Sequence, residues 1–166
     1  MHRWLIVAIS FTLAATLACS VSAQDASKIV GVWKVVDITR KEIASGATDK
    51  PYGEKPSGYY VFTAGGHFFW NFVADNRKPP AGSAPSDAER LELFKTLSFG
   101  TGTYKSDGGK LLLRYDSSWI QSWTGAERSI SLPEVSGKTM TITSAPFKHP
   151  TSGVDAMTTN TFERVE

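Results

Sequence analysis

Cysteine is almost absent from this sequence, because the 166 residues contain only Cys19. Long hydrophobic runs are also missing: the longest apolar stretch, 4–18, is shorter than the roughly 18 residues that a membrane-spanning helix needs. If the segment that carries Cys19 is removed, the remaining chain has no thiol and can form no disulfide. Such a chain must be stabilised by its core, and about 140 residues suffice for one domain.

The N-terminal segment has the order of a secretory signal peptide. His2 and Arg3 precede the apolar run, and small residues end at Ala23. We therefore expect residues 1–23 to be a signal peptide, residues 24–166 to be the mature domain, and the protein to be periplasmic or secreted. Two alternatives remain open, namely an uncleaved anchor and lipid attachment at Cys19, because 16–19 loosely matches a bacterial lipoprotein box.

An excess of charge of one sign is lacking too. The chain has 18 basic and 16 acidic residues, a net charge of +2, and its basic residues are scattered. Proteins that bind nucleic acid or anionic membranes usually carry a basic patch. We therefore expect no nucleic-acid partner, and no strong membrane association unless Cys19 is lipidated.

Motifs for metal binding and common enzyme chemistry are equally scarce. Beyond the N-terminal segment the only histidines are His67 and His149, which are far apart and belong to no zinc-ligand motif. The sequence contains no nucleophile elbow, phosphate loop or dinucleotide-binding motif. The prediction is therefore no metal and no cofactor, while simple acid–base catalysis stays open.

Alternating apolar and polar residues dominate the rest of the chain and predict an all-β protein. Short Gly- and Asp-rich turns such as 64–66 and 106–109 separate many of the segments, which favours antiparallel hairpins. The eight predicted strands are Ile29–Ile38, Gly58–Thr63, His67–Val73, Phe99–Lys105, Lys110–Ser117, Ala126–Leu132, Thr139–Ser144 and Met157–Val165.

One segment predicts a helix instead. Ser86 and Glu89 have the spacing of a capping box, and Leu91, Phe94 and Leu97 then recur on one face. We expect about three turns of helix covering one end of the sheet. The other long connection, 39–57, is rich in Gly, Lys and Pro and predicts a mobile surface loop.

Eight antiparallel strands in one small domain favour closure into an up-and-down barrel with one short helix, because a closed sheet exposes no edges. Such a barrel holds packed side chains or one small ligand. A sandwich of two sheets is the alternative arrangement.

Several motifs strengthen the barrel prediction. Two motifs together resemble the lipocalin signature: Gly31-Val32-Trp33 on the first strand and Phe162-Glu163-Arg164 on the last strand. The segments 58–66, 99–104 and 123–128 resemble the bacterial and fungal lipocalin-like domain family, so the resemblance spans about residues 29–165. It implies a barrel in which Arg164 lies over Trp33 at the closed base. Stacking of this kind stabilises by roughly 0.5–2 kcal/mol, and we expect the pair to be structural.

Alternation also predicts which side chains face the interior. Even-numbered positions of the second, third and sixth predicted strands place aromatic rings and one arginine on the same face, and two further tryptophans follow the fifth strand. A mostly apolar pocket with few polar groups is typical of small-molecule sites, whereas the alternative is a filled core. The candidate ligand-binding residues are Tyr60, Phe62, Phe68, Trp70, Trp119, Trp123 and Arg128.

Arg128 is the most informative of these residues, because a buried charge requires a partner. It could pair internally with Asp116, Tyr60 or Tyr115, or it could bind an anionic group of a ligand. On the fifth predicted strand the odd-numbered, more apolar face should point inward, although the reverse register is possible.

The leading hypothesis is an exported lipocalin-like protein that binds a small hydrophobic molecule, with an anionic group near Arg128 as one option. We expect a monomer or weak dimer. The alternative is an isomerase or cyclase using the same cavity, by analogy with other calycin-like barrels.

Overall fold

The computed structural model describes residues 27–150 and 152–166, so the predicted signal peptide and Cys19 lie outside the described residues. Eleven strands and one helix are present in these ranges. The eight long segments are confirmed, with ends shifted by a few residues. The bounds are β1 Gly31–Glu42, β2 Thr48–Asp49, β3 Ser57–Phe62, β4 His67–Val73, α1 Asp87–Lys95, β5 Leu97–Asp107, β6 Lys110–Ser118, β7 Glu127–Ser131, β8 Glu134–Ser136, β9 Thr139–Thr143, β10 Phe147–Lys148 and β11 Asp155–Arg164.

All paired strands are antiparallel, and they form one sheet in the order β7-β6-β5-β4-β3-β1-β11-β9-β8. The strand β2 pairs with β1, and β10 pairs with β11. The expected count of eight strands is corrected to eleven, since β2, β8 and β10 have only two or three residues each and are too short to show alternation. The connection predicted as a mobile surface loop over 39–57 is partly in the sheet, because β1 extends to Glu42 and β2 pairs with it.

The sheet is strongly curled, because its two ends are tied together by the chain. The strands β7 and β8 stand at opposite ends of the order, yet only Leu132 and Pro133 separate them. Two residues span less than about 10 Å, so these edges must meet. Among the described residues no hydrogen-bonded ladder joins β7 to β8 or β9. The all-β antiparallel prediction is thus confirmed, but the expected closure by pairing is replaced by an unpaired seam, where Pro133 lacks a backbone donor.

The inward faces follow the predicted alternation. Even positions of β3, β4 and β9 are buried, and β6 buries its odd face, leaving Arg114 and Asp116 exposed. In β1 the register shifts between Val35 and Asp37, so the inward positions change from odd to even within one strand. This bulge lets a single long strand bend around the core.

The base of the barrel is closed by the predicted pair. The Arg164 guanidinium lies 4.0 Å from the ring centroid of fully buried Trp33. The Trp33 indole N–H donates to the Ile29 carbonyl at 2.7 Å, and Arg164 donates to the Val30 carbonyl at 2.8 Å. Gly31 has φ 139°, and a Cβ there would stand 2.4 Å from the Glu166 carbonyl oxygen, which explains the glycine of the motif. The segment before β1 and the end of β11 are therefore bound together at the base.

The helix confirms its capping box and corrects its packing. Ser86 accepts from the backbone N–H of Glu89, and the Glu89 carboxylate accepts from the backbone N–H of Ser86. No residue of α1 is buried: Leu91 is 52 % and Phe94 54 % exposed, while Leu97 already belongs to β5. With nine residues, α1 is slightly shorter than the predicted three turns, and its Phe94 contacts the Trp119 ring with centroids 4.8 Å apart. No helix within 27–150 or 152–166 is long and apolar enough to cross a membrane.

Candidate functional site

The interior of the barrel contains a partly open cavity of ≈ 140 Å³ at the end away from Trp33. Most of its wall is apolar. The aromatic wall residues are Tyr52, Tyr60, Trp70, Phe72, Tyr115, Trp119, Trp123 and Phe147, and the aliphatic ones include Ile38, Leu113, Ile120, Ile130 and Ile142. An enclosed apolar space with few polar groups is the usual form of a small-molecule site.

Five of the seven candidate residues line this cavity: Tyr60, Trp70, Trp119, Trp123 and Arg128. Phe62 and Phe68 do not. They stand opposite each other in the β3–β4 ladder, nearer the base than the Tyr60–Trp70 pair, and each is 1 % exposed. Phe62 stacks on Tyr60 with ring centroids 4.4 Å apart. These two rings therefore form a packed floor, and we leave them out of the proposed ligand-contacting set.

The inner face of β5 makes room for two of the large rings of the cavity wall. Its inward positions are Ser98, Gly100 and Gly102, which carry small side chains or none. A Cβ on Gly100 would stand 2.7 Å from the Trp70 indole nitrogen and 2.8 Å from Tyr115 Cε1. The absence of a side chain lets the two large rings lie across the strand. This row of small residues is a signal in the sequence that alternation analysis could have used.

Two tyrosine hydroxyls belong to the cavity wall. Burial raises the pKa of Tyr60 well above its usual range, and the nearby Tyr115 adds to the effect. Burial likewise raises the pKa of Tyr115 to about 12, although Trp70 and the charge of Arg128 act in the opposite direction. Both phenols are consequently protonated at neutral pH and can donate hydrogen bonds to a bound molecule.

Arg128 extends from β7 toward the cavity, as the alternation predicted. Its guanidinium stacks on Trp123, 4.0 Å from the ring centroid. Internal pairing with Asp116 is excluded, because Asp116 lies exposed on the opposite face of β6. Within the described residues Arg128 forms no ion pair, and neither Tyr60 nor Tyr115 accepts a hydrogen bond from it. The internal pairs considered from the sequence are therefore not formed, and the half-buried guanidinium is held by its contact with Trp123.

Comparison with protein-family models decides what kind of barrel this is. The model described as lipocalin-like domain matches residues 30–164, nearly the whole described region. The chain belongs to the lipocalin-like domain family. No curated protein matches the chain.

The lipocalin-like domain also places residues at the cavity that the sequence did not single out. Tyr52, from the connection after β2, has its hydroxyl 2.5 Å from the Ser98 hydroxyl. His149 and Pro150 reach the wall from the segment between β10 and β11. Residues in irregular connections have no periodicity, which is why alternation could not assign them.

His149 is the titratable group with the clearest environment in this lipocalin-like domain. It is 7 % exposed, and its Nδ1 lies 3.3 Å from Nη1 of Arg40, which in turn binds Asp49. Because arginine can only donate, Nδ1 accepts and the imidazole is not doubly protonated. Burial, aided by the charge of Arg40 and opposed by Asp49, lowers the pKa of His149 to about 4.

We expect this histidine to make the stability of the lipocalin-like domain depend on pH. The pKa of His149 is about 4 in the folded chain and 6.5 in the unfolded chain. Between these two pH values the unfolded chain binds a proton that the folded chain does not. Stability should therefore rise with pH across this window, by about 2 kcal/mol, and stay level above it. Urea unfolding of the wild type and His149→Gln at several pH values measures the difference. If the free energy of unfolding depended on pH equally in both proteins, the lowered pKa of His149 would be contradicted.

Among the described residues no three His, Cys, Asp or Glu side chains lie close enough together to hold a metal ion. The cavity wall supplies phenol, indole and guanidinium donors around an apolar space. This chemistry suits recognition of an apolar molecule that carries acceptor atoms.

Proposed function

We propose that the protein is an exported binding protein that encloses one small hydrophobic molecule in its barrel. The observation that carries the proposal is the cavity of ≈ 140 Å³ with largely aromatic walls. An apolar cavity of roughly 150 Å³ in another protein is large enough to bind benzene. A ligand with one aromatic ring therefore matches the enclosed space, and a longer ligand would extend through the open end.

Export forms part of the proposal. The basic start, the apolar run 4–18 and the small residues before Gln24 support cleavage after Ala23 and release into the periplasm or medium. A barrel without thiols after cleavage is suited to an oxidising compartment, because no free cysteine remains to react. N-terminal sequencing of the protein secreted by its native host tests this point, and a lipid-modified Cys19 would contradict it.

Binding is tested first with toluene, an uncharged molecule of one ring, by calorimetric titration of the mature protein. We expect saturable binding at one site. Ile142 lines the cavity, whereas Thr143, the next residue of β9, is exposed. Ile142→Phe should weaken toluene binding about tenfold or more because it fills the space, while the matched control Thr143→Phe should leave it unchanged. Equal affinities for both variants would refute binding in the cavity.

The natural ligand is sought in protein purified from the native host. Native mass spectrometry should show a complex heavier than the polypeptide by the mass of one small molecule. The Ile142→Phe variant, purified in the same way, should be empty. If the wild type, like the variant, had only the mass of its own polypeptide, the result would count against a retained ligand.

A second candidate, an isomerase or cyclase, is favoured by the paired phenols of Tyr60 and Tyr115. Two protonated donors on one wall could stabilise negative charge that develops on a carbonyl oxygen of a bound substrate. The test is chromatography of the natural ligand before and after incubation with empty protein. Conversion by wild type and its loss in Tyr60→Phe, which still binds, would identify an enzyme; an unchanged ligand would identify a carrier.

A further inference from the structure

The charge inside the cavity has one sign. Among the residues of 27–150 and 152–166, Arg128 is the only arginine or lysine on the cavity wall, and no aspartate or glutamate lies there. The other basic group on the wall, His149, accepts a hydrogen bond from Arg40 and is neutral at pH 7. In a low-dielectric space a single uncompensated cation attracts an anion more strongly than it would in water.

The position of Arg128 is fixed by stacking. One face of the planar guanidinium covers the Trp123 ring at 4.0 Å. The N–H groups point outward in the plane of the guanidinium, so this stacking leaves them able to donate hydrogen bonds. That plane matches the two oxygens of a carboxylate. Within the described residues no carboxylate forms an ion pair with Arg128. The wall therefore offers guanidinium N–H donors that no acidic side chain of the described residues binds.

The size and lining of the cavity restrict the rest of the molecule. The space is that of about one aromatic ring, and Trp70, Tyr115 and Trp123 border it with ring faces and edges. We propose that the ligand of this site is an aromatic carboxylate with one ring, whose carboxylate binds the edge of the Arg128 guanidinium. This inference rests on the proposed binding function and adds the chemical class of the ligand.

The test compares four one-ring probes at pH 7 by calorimetry: benzoate, benzamide, benzylammonium and toluene. Benzoate and benzamide have nearly the same shape, so their affinity ratio isolates the charge. We expect benzoate to bind wild type about 10-fold or more tightly than benzamide, since hydrogen bonds to charged groups are the stronger class. Benzylammonium should bind more weakly than toluene.

Variants assign the preference to one side chain. Arg128→Met should reduce the ratio of benzoate affinity to benzamide affinity to about one, and because both probes are measured on the same variant, a general change in the cavity cancels in this ratio. Arg128→Lys keeps the positive charge but not the planar guanidinium, so its ratio of benzoate affinity to benzamide affinity should lie between those of Arg128→Met and wild type. The matched control is Arg114→Met, because Arg114 is exposed on the outer face of the neighbouring strand β6; its ratio should equal that of wild type.

The outcomes separate the two proposals. If toluene binds but benzamide binds as tightly as benzoate, the carboxylate inference is overturned while the binding function stands. A preference for benzoate that survives in Arg128→Met also overturns it. If no probe binds to wild type, the binding function fails, and the inference fails with it.

Discussion

Replacing Trp33 by alanine is expected to lower the free energy of unfolding by about 3–5 kcal/mol, the cost of deleting a large ring from a filled core. Trp33 is completely buried, its indole N–H is bonded to Ile29, and its ring face is covered by Arg164. No part of Trp33 lines the cavity. Urea unfolding should show the loss, while toluene affinity of the folded variant stays near that of wild type.

A matched tryptophan separates stability from binding. Trp119 is half-buried at the cavity wall and packs on Phe94 of α1, with ring centroids 4.8 Å apart. Trp119→Ala should lower stability far less than Trp33→Ala and weaken toluene binding more. An unchanged unfolding midpoint for Trp33→Ala would contradict the assignment of Trp33 and Arg164 to the base of the barrel.

The second large effect is expected at Gly102. A Cβ at this position would stand 1.9 Å from the carbonyl oxygen of Arg114 on β6, beside the point where the β5–β6 register shifts. Because the neighbour is backbone in a ladder, it cannot rotate away as a side chain could. Gly102→Ala should therefore destabilise the protein by about 3 kcal/mol, the upper part of the usual range for overpacking. Urea unfolding measures the loss.

Gly82 provides the control for that substitution. It is exposed, and a Cβ there would meet no atom within 4 Å. Gly82→Ala should change stability by no more than about 0.5 kcal/mol. If the two alanine variants unfolded at the same urea concentration, the close approach of β5 and β6 at Gly102 would be refuted.

Much of the fold was predictable because long strands carry a period of two. His67–Val73 was predicted with the bounds that β4 has, and the inward odd face of β6 followed from Leu111, Leu113 and Tyr115. The capping box of α1 depends on local bonds and was also predictable. Tertiary features were not: nothing in the spacing of Leu91 and Phe94 shows that the helix stays outside the core.

In the candidate site, too, the inward faces could be predicted from the sequence, whereas features that depend on tertiary structure could not. Alternation placed Tyr60, Trp70 and Arg128 on the inner face, where they line the cavity. It could not separate these residues from Phe62 and Phe68, because the distance of a residue from the closed base depends on strand pairing, not on parity. The pairing of Arg128 with Asp116 could not be decided from the sequence, because the reverse register of the fifth predicted strand, which would turn Asp116 inward, remained open until the structure showed the odd face buried.

Intermolecular nuclear Overhauser effects in solution test most directly whether the barrel holds a small aromatic molecule in its interior. With toluene at saturation, its protons should show contacts to the methyl groups of Ile38, Leu113 and Ile142, which line the cavity. Contacts to outward residues such as Val36 should be absent, since Val36 is exposed at the β1 bulge. Contacts confined to the outer surface, or none at saturation, would contradict the account.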